Sequence, residues 1–361
     1  MNAREAFRDM RSLTNVCMLA AVIMAAACSS TKEKYVQPKF PEEEARTFEL
    51  LTEDQLWGGT VKIFKYGDIL AVVTLGATDD KWLHLYSLNG DSLGDYIMSG
   101  RGPFETTYVS CAYLAGGLLH LMAPMDKKVI SVDLPALLTS GLENAVTEDA
   151  FIDSSNWLSY DFPLSGKRII GIYSSKIMGD VPYEKGRICI FDENGELMSS
   201  YNDSPYAEFS PAGRNYLELA ASFKSVSPDG KHLALSTCVG AVLEIFSIED
   251  EVKHVKTSYY VEPQFEEKGH SVQTSVKSIA GFGYLYGGNE HLFTVYDGKT
   301  SFKDKSKVRF RDIAIFDWNG KPQKLIKTDW SIDAIVTDDD GETFYAVVSD
   351  LDKRVYLAIL K

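Results

Sequence analysis

Six glycine-containing turns, each leading into a short apolar strand, predict an all-β fold: a six-bladed β-propeller of four-stranded antiparallel blades. Two further observations support it. A second hairpin signal recurs inside most units, and a lone alternating strand ahead of the first unit is available to complete the last one. The turns lead into ILAVV, LLHLM, RIIGIY, HLALS, HLFTVY and TFYAVV, and their glycines are Gly67, Gly117, Gly166, Gly230, Gly288 and Gly341. Successive glycines lie 50, 49, 64, 58 and 53 residues apart, a period suited to one small antiparallel sheet per unit. The stretch SVSPDGKHLALS (225–236) shows the pattern most plainly, with Pro-Asp-Gly-Lys between two apolar runs.

Inside the units, LHLYSLNGDSLGDYIM, ICIFDENGELMSSY and IAIFDWNGKPQKLI each place Asn-Gly between apolar runs, the strongest short hairpin signal. Each unit therefore reads as strands A and B around the first turn and C and D around the second. The second unit substitutes a helical stretch, PALLTSGLENAV, for the C–D turn, and the fourth uses IEDE. The sixth supplies only SIDAIV, TFYAVV and RVYLAIL before Lys361. RTFELLT (46–52) alternates and stands alone, so it is expected to close the last blade and remove the exposed edges. The propeller domain then spans 46–361.

The first 27 residues read as a signal peptide. Arg4, Arg8 and Arg11 precede twelve apolar residues, 16–27, which end in small side chains at Cys28. Twelve residues are too few to cross a bilayer, which takes about 20. A start at Met10 would give a still more compact signal. Residues 28–45, charged and containing two prolines, read as a flexible tether.

Ala25-Ala26-Ala27-Cys28 resembles a bacterial lipobox, with Ala25 where Leu is usual. The resemblance implies that Cys28 is diacylated and becomes the mature N-terminus, anchoring the protein in the cell envelope, on the periplasmic side or at the cell surface. SPDGKHLAL is similar to the TolB-type propeller repeat. Together with the lipobox and MSGRGPFE (98–105), the six units resemble the TolB-like six-bladed β-propeller lipoproteins of bacteria. Those often carry a Gly-x-Gly-Pro-Gly-Glu-like stretch after the first blade, and Phe104 stands where a small residue is usual. The resemblance implies fold and address; it brings no defined biochemical role.

Without residues 1–28 the chain carries 34 basic and 49 acidic side chains. That excess argues against nucleic acid as a partner, because nucleic acid requires a basic face. Cys111, Cys189 and Cys238, odd in number and irregular in spacing, are expected as buried thiols.

In this register the A–B and C–D turns share one face and are short. The long connections, such as 100–107, 174–187, 203–223, 262–275 and 296–309, fall on the other. Long loops in a compact domain commonly carry function, so a peptide, glycan or envelope protein is expected to bind on the long-loop face. Arg101, between two glycines, offers a guanidinium beside accessible N–H groups, with Glu105 as its structural partner. Tyr183, Tyr206, Tyr216 and Trp330 offer stacking faces or, more plainly, packing between blades. Arg214 and His270 offer polarity or simple solvation.

Catalytic patterns fail. GHSVQ (269–273) has Gln273 where a nucleophile elbow needs its last glycine. The six histidines show no paired metal-ligand spacing. DDDGE (338–342), DWNG and DENG would put Val336, Ile315 and Ile190 at the first position of a calcium loop, where none can coordinate. No cofactor is indicated. The alternative to a binding module is a propeller hydrolase or lyase with a cation in its channel. Its inner strands offer Lys62, Tyr108, Tyr160, Asp161, Lys224, Lys277 and Asp333, a set with few carboxylates.

Overall fold

The computed structural model describes residues 34–52, 60–76, 80–150, 158–164, 168–173, 186–192, 194, 196–220, 222–268, 271–303, 308, 310–338 and 341–361. The signal segment, Cys28, Tyr183 and His270 lie outside them.

Two short strands, β1 (Glu42–Ala45) and β2 (Glu49–Leu50), precede the repeat. Sheet I is β3 (Thr60–Tyr66), β4 (Ile69–Leu75), β5 (Lys81–Ser87) and β6 (Ser92–Met98). Sheet II is β7 (Cys111–Ala115), β8 (Leu118–Ala123), β9 (Lys128–Val132) and β10 (Val146–Ala150). The helices α1 (Leu134–Ser140) and α2 (Leu142–Ala145) stand in place of its last turn, as the sequence suggests, and the Asp133 carboxylate caps α1 by accepting from the Ala136 N–H. Sheet III is β11 (Leu158–Leu164), β12 (Arg168–Tyr173), β13 (Ile188–Phe191) and β14 (Leu197–Tyr201). Helix α3 (Pro211–Asn215) and a π-helical turn (Tyr216–Ala220) lead to sheet IV, which is β15 (Ser222–Val226), β16 (His232–Thr237), β17 (Ala241–Ser247) and β18 (Lys253–Val261). A ribbon, β19 (Phe265–Lys268) and β20 (Ser271–Thr274), precedes sheet V: β21 (Phe282–Gly287), β22 (His291–Tyr296), β23 (Asp312–Asp317) and β24 (Pro322–Lys327). Sheet VI is β25 (Ser331–Thr337), β26 (Phe344–Ser349) and β27 (Val355–Leu360).

The fold is an all-β propeller whose blades are four-stranded antiparallel sheets. Strand β2 pairs with β27 through Glu49↔Ile359 and Leu50↔Ala358, so an N-terminal strand completes the last sheet. The pairing covers two residues of the expected 46–52. The inner strands touch in sequence, β25 on β3, β3 on β7, β7 on β11, and β15 on β21 on β25. Packing between sheets explains why these strands read as unbroken apolar runs. In β4, Ala71 and Val73 face sheet II, whereas Leu70 and Val72 face sheet VI. Alternate side chains point to opposite faces of a strand, and here both faces are buried. At Gly67 and Gly230 the turns take φ of +56° and +69°, conformations that cost glycine least.

The expected tether proves partly docked. From Lys34 onward the chain lies against the rim of sheets IV and V. Tyr35 meets Tyr259 edge-on, the Val36 N–H donates to the Tyr259 carbonyl, Phe40 packs on Phe316, and β1 adds to β24 as a parallel fifth strand. Apolar residues spaced through the polar segment (Tyr35, Val36, Phe40) make this possible, and β24 offers an open edge.

The Asn-Gly turns are hairpins held by their own aspartates. The Asp317 carboxylate accepts from the N–H groups of Asn319 and Lys321, and Asp192 does the same for Asn194 and Glu196. Cys111 and Cys189 are buried free thiols; Cys238, also free, is only half-buried.

Candidate ligand site in the central channel

Inner strands present one row of side chains to the channel. A cavity of about 670 Å³ opens there, at the end where the short A–B turns lie. Phe64, Lys62 and Lys65 of β3, Tyr113 and His120 of sheet II, Lys224 of β15, and Tyr284 and Tyr286 of β21 line it. Phe64, Tyr113, Tyr284 and Tyr286 give its walls aromatic faces, and none of the described lining residues is acidic. This is the end opposite the long loops, where the sequence pointed.

The three lysines differ. Lys65 lies 2.6 Å from Asp338, and that hydrogen bond holds its ammonium above the usual lysine range. The Lys62 ammonium donates to the Ala112 carbonyl at 3.2 Å and sits 3.7 Å from the Cys111 thiol. Lys224 is 7% exposed. Burial brings its pKa down to about 7, aided by the positive charges of Arg187 and Lys62 and partly opposed by Cys111 and Glu218. His120 is held neutral by burial; its Nδ1 lies 2.8 Å from the Ser131 hydroxyl and its Nε2 3.2 Å from the Ala115 carbonyl. Its ring stacks on Tyr113, 4.9 Å between centroids. Burial raises the Tyr284 hydroxyl. Among the described residues, no three His, Cys, Asp or Glu side chains gather to hold a metal.

Farther round the ring, Asp333 is the extra residue of a bulge in β25, between Ile332 and Ala334. Its side chain reaches solvent, yet the protein crowded around it raises the carboxyl to about 6, with the Ser349 hydroxyl bond opposing.

Behind the cavity lies a buried ion cluster. Arg187, just ahead of β13, makes two parallel bonds to Glu244 of β17, at 2.9 and 2.5 Å, and a third contact with Glu218 at 3.3 Å. It also donates to the Asp203 carbonyl at 3.0 Å, while Ser204 donates to Glu218 at 2.5 Å. Paired in this way, the Arg187 guanidinium is held charged despite its burial. Site reasoning from loops missed this cluster. Its signal was a glutamate inside each of two apolar runs, AVLEIFS and YLELA, since charges rarely enter such runs unpaired.

The sequence-derived candidates do not converge. Arg101 is exposed on the loop joining sheets I and II. Glu105 turns back to accept the Gly102 N–H at 2.7 Å, so the carboxylate shapes the turn. Phe104 there has φ +58°, a left-handed conformation that is uncommon for a residue with a side chain. Tyr206 is 3% exposed and offers no stacking face. It packs with Leu217, Val239 and Val242 in a cap over sheets IV and V that also includes Tyr216, whose hydroxyl bonds Thr274. Arg214 is half-buried at the end of α3 in the same region. Trp330 packs edge-on against Tyr356, 5.7 Å between centroids, and serves the join of sheets V and VI. Among the inner-strand residues whose side chains are described, Lys62 and Lys224, read from the sequence only as channel residues, line one cavity.

Fold and cavity together define a propeller with a lysine-lined pocket in its channel. The chain belongs to the TolB-like 6-blade propeller-like family, whose pattern it matches over residues 40–340. Among solved structures it is similar to an exported protein of Bacteroides fragilis NCTC 9343, with a TM-score of 0.51 at 13% identity over 89% of this chain and 98% of that one. A DUF4221-family member from Bacteroides vulgatus gives 0.50 at 9% identity, over 88% and 96%. A gluconolactonase of Xanthomonas campestris gives 0.48 at 10%, over 87% and 88%. No protein with a curated description matches the sequence.

Proposed function

We propose that the protein is an extracytoplasmic binding module, held to a membrane through an acylated Cys28, whose small ligand seats in the channel of a six-bladed ring. The cavity between the inner strands is the observation that carries this reading: 670 Å³ lies within the range of small-molecule sites. Five four-stranded sheets and one five-stranded sheet, in contact round the channel, support the blade count. Export is supported by the basic, apolar and small-residue order of residues 1–27 and by the exported Bacteroides fragilis neighbour. A larger partner (peptide, glycan or envelope protein) is assigned to the long-loop face, where the cap around Tyr216 and Arg214 lies.

The docked segment sharpens the anchoring. Only residues 29–33 separate Cys28 from Lys34, and five extended residues reach at most about 20 Å. An anchored protein would thus keep the rim of sheets IV and V near the membrane.

A thermal-shift screen of the full-length protein against neutral sugars, short peptides and small acids tests the channel. A ligand at 100 times its Kd adds about 2.7 kcal/mol. Hits abolished by Tyr286→Ala support the channel; hits insensitive to every channel variant overturn it. Cys28→Ser should move the protein from the membrane to the soluble fraction.

A further inference from the structure

We propose that the surface where the tether leaves the body is a membrane-contact patch. Lys39, Lys277, Lys299 and Lys303 meet lipid phosphates there, while Val36 and Val276 touch the headgroup layer. The proposal rests on the acylation of Cys28 and adds which surface meets the leaflet and through what chemistry. Contiguity is the first ground. The Gln37 side chain donates to the Gly298 carbonyl at 3.1 Å and accepts from the Tyr296 hydroxyl at 2.5 Å. Tyr35 and Phe302 pack on the same buried cluster. The Ser301 hydroxyl donates to the Val276 carbonyl at 2.6 Å and accepts from the Lys303 N–H at 3.3 Å. Residues 34–39, 276–277 and 298–303 therefore make one surface.

Composition is the second ground. The four lysines are exposed, in a chain whose acidic side chains outnumber its basic ones. Val36 and Val276 are 56% and 51% exposed among them. Asp297, the acid beside Lys299, is turned inward, and its carboxylate accepts from the N–H groups of Lys299 and Thr300 at 2.9 and 2.6 Å. Glu208, bonded to Lys34, and Glu262 lie on the side of Tyr35. Exposed apolar residues among lysines are what a surface-bound segment presents to lipid. Reach is the third ground. Residues 29–33 span at most about 20 Å, two or three Debye lengths at physiological salt. The acyl chains thus make the contact intramolecular, and an attraction of about fivefold per lysine suffices to orient the body.

Amine footprinting of the acylated protein tests this on vesicles of equal phosphatidylglycerol and phosphatidylcholine, against vesicles of phosphatidylcholine alone. Lys39, Lys277, Lys299 and Lys303 should label at least about fivefold more slowly on the anionic vesicles. Lys231 and Lys253, exposed at the short turns of sheet IV, should label alike on both. High salt should restore the slowed rates. Lys277→Glu with Lys299→Glu should leave the protein on the vesicles, while Lys39 and Lys303 label as they do on phosphatidylcholine. Equal labelling of the four lysines on both vesicles, with the protein still bound, overturns the patch and leaves the anchor standing. Protection of Lys39 and Lys303 that survives both substitutions also overturns it, by giving the contact to other groups. Mass spectrometry that finds no acyl group on Cys28 overturns the anchor and the patch together.

Discussion

Arg187 and Lys224 are both almost wholly buried bases near the same channel, and the fold treats them in opposite ways. Arg187 is surrounded by acceptors: two carboxylates and a carbonyl lie within 3.3 Å. Lys224 faces two other cations, one carboxylate and a thiol, and its ammonium is weakened rather than reinforced. A planar guanidinium suits a fixed, bidentate structural pairing, whereas the pKa of a compact ammonium shifts readily on burial. A buried base with its partners built in joins sheets III and IV. Lys224 keeps an ammonium that burial and two neighbouring cations weaken.

Breaking the first of these should have the largest effect. Arg187→Met leaves Glu218 and Glu244 buried without their counter-charge and should cost about 3–5 kcal/mol in denaturant unfolding. Adding Glu244→Leu and Glu218→Leu should recover much of that loss; if it does not, the cluster does more than satisfy its own charges.

Lys224→Met should act in the opposite direction. Because its folded pKa of about 7 lies below the unfolded value near 10.5, the unfolded chain holds the extra proton between those limits. Wild-type stability should therefore rise from pH 7 toward 10.5, and the variant should lack that rise. At pH 6 the variant should be more stable by on the order of 3 kcal/mol.

Asp333→Asn probes a milder case. The Asp333 carboxyl is raised to about 6, so its folded-state advantage is complete below about pH 4 and lost as pH rises through 6. The variant should be more stable at pH 7 by about 1 kcal/mol after allowance for solvent screening, and equal to wild type below pH 4. Smallest of all, Arg101→Ala should change stability by less than about 0.5 kcal/mol, while Glu105→Ala costs about 1 because the Gly102 N–H loses its acceptor. A reversed order would make Arg101, rather than Glu105, the side chain that holds this turn.

The legible parts of the molecule were local. Asn-Gly, Pro-Asp-Gly and runs such as ILAVV report the backbone within a few residues, so hairpins, blades and the helical insert at 134–145 could be read directly. Tyr206 and Trp330 could be read either way, because an aromatic residue in a loop looks the same whether it meets a ligand or the next sheet. The docking of residues 34–45 was hidden for a related reason: Tyr35 and Phe40 find Tyr259 and Phe316 more than 220 residues away.

The sequence by itself determined the repeating sheets, the glycine turns and the closing strand, since each follows from short-range periodicity and turn chemistry. Only the tertiary structure decided where charge is balanced. Lys62 and Lys224 stand 162 residues apart, Arg187 and Glu244 belong to different sheets, and the pKa of a buried base depends on which side chains the closed ring sets around it.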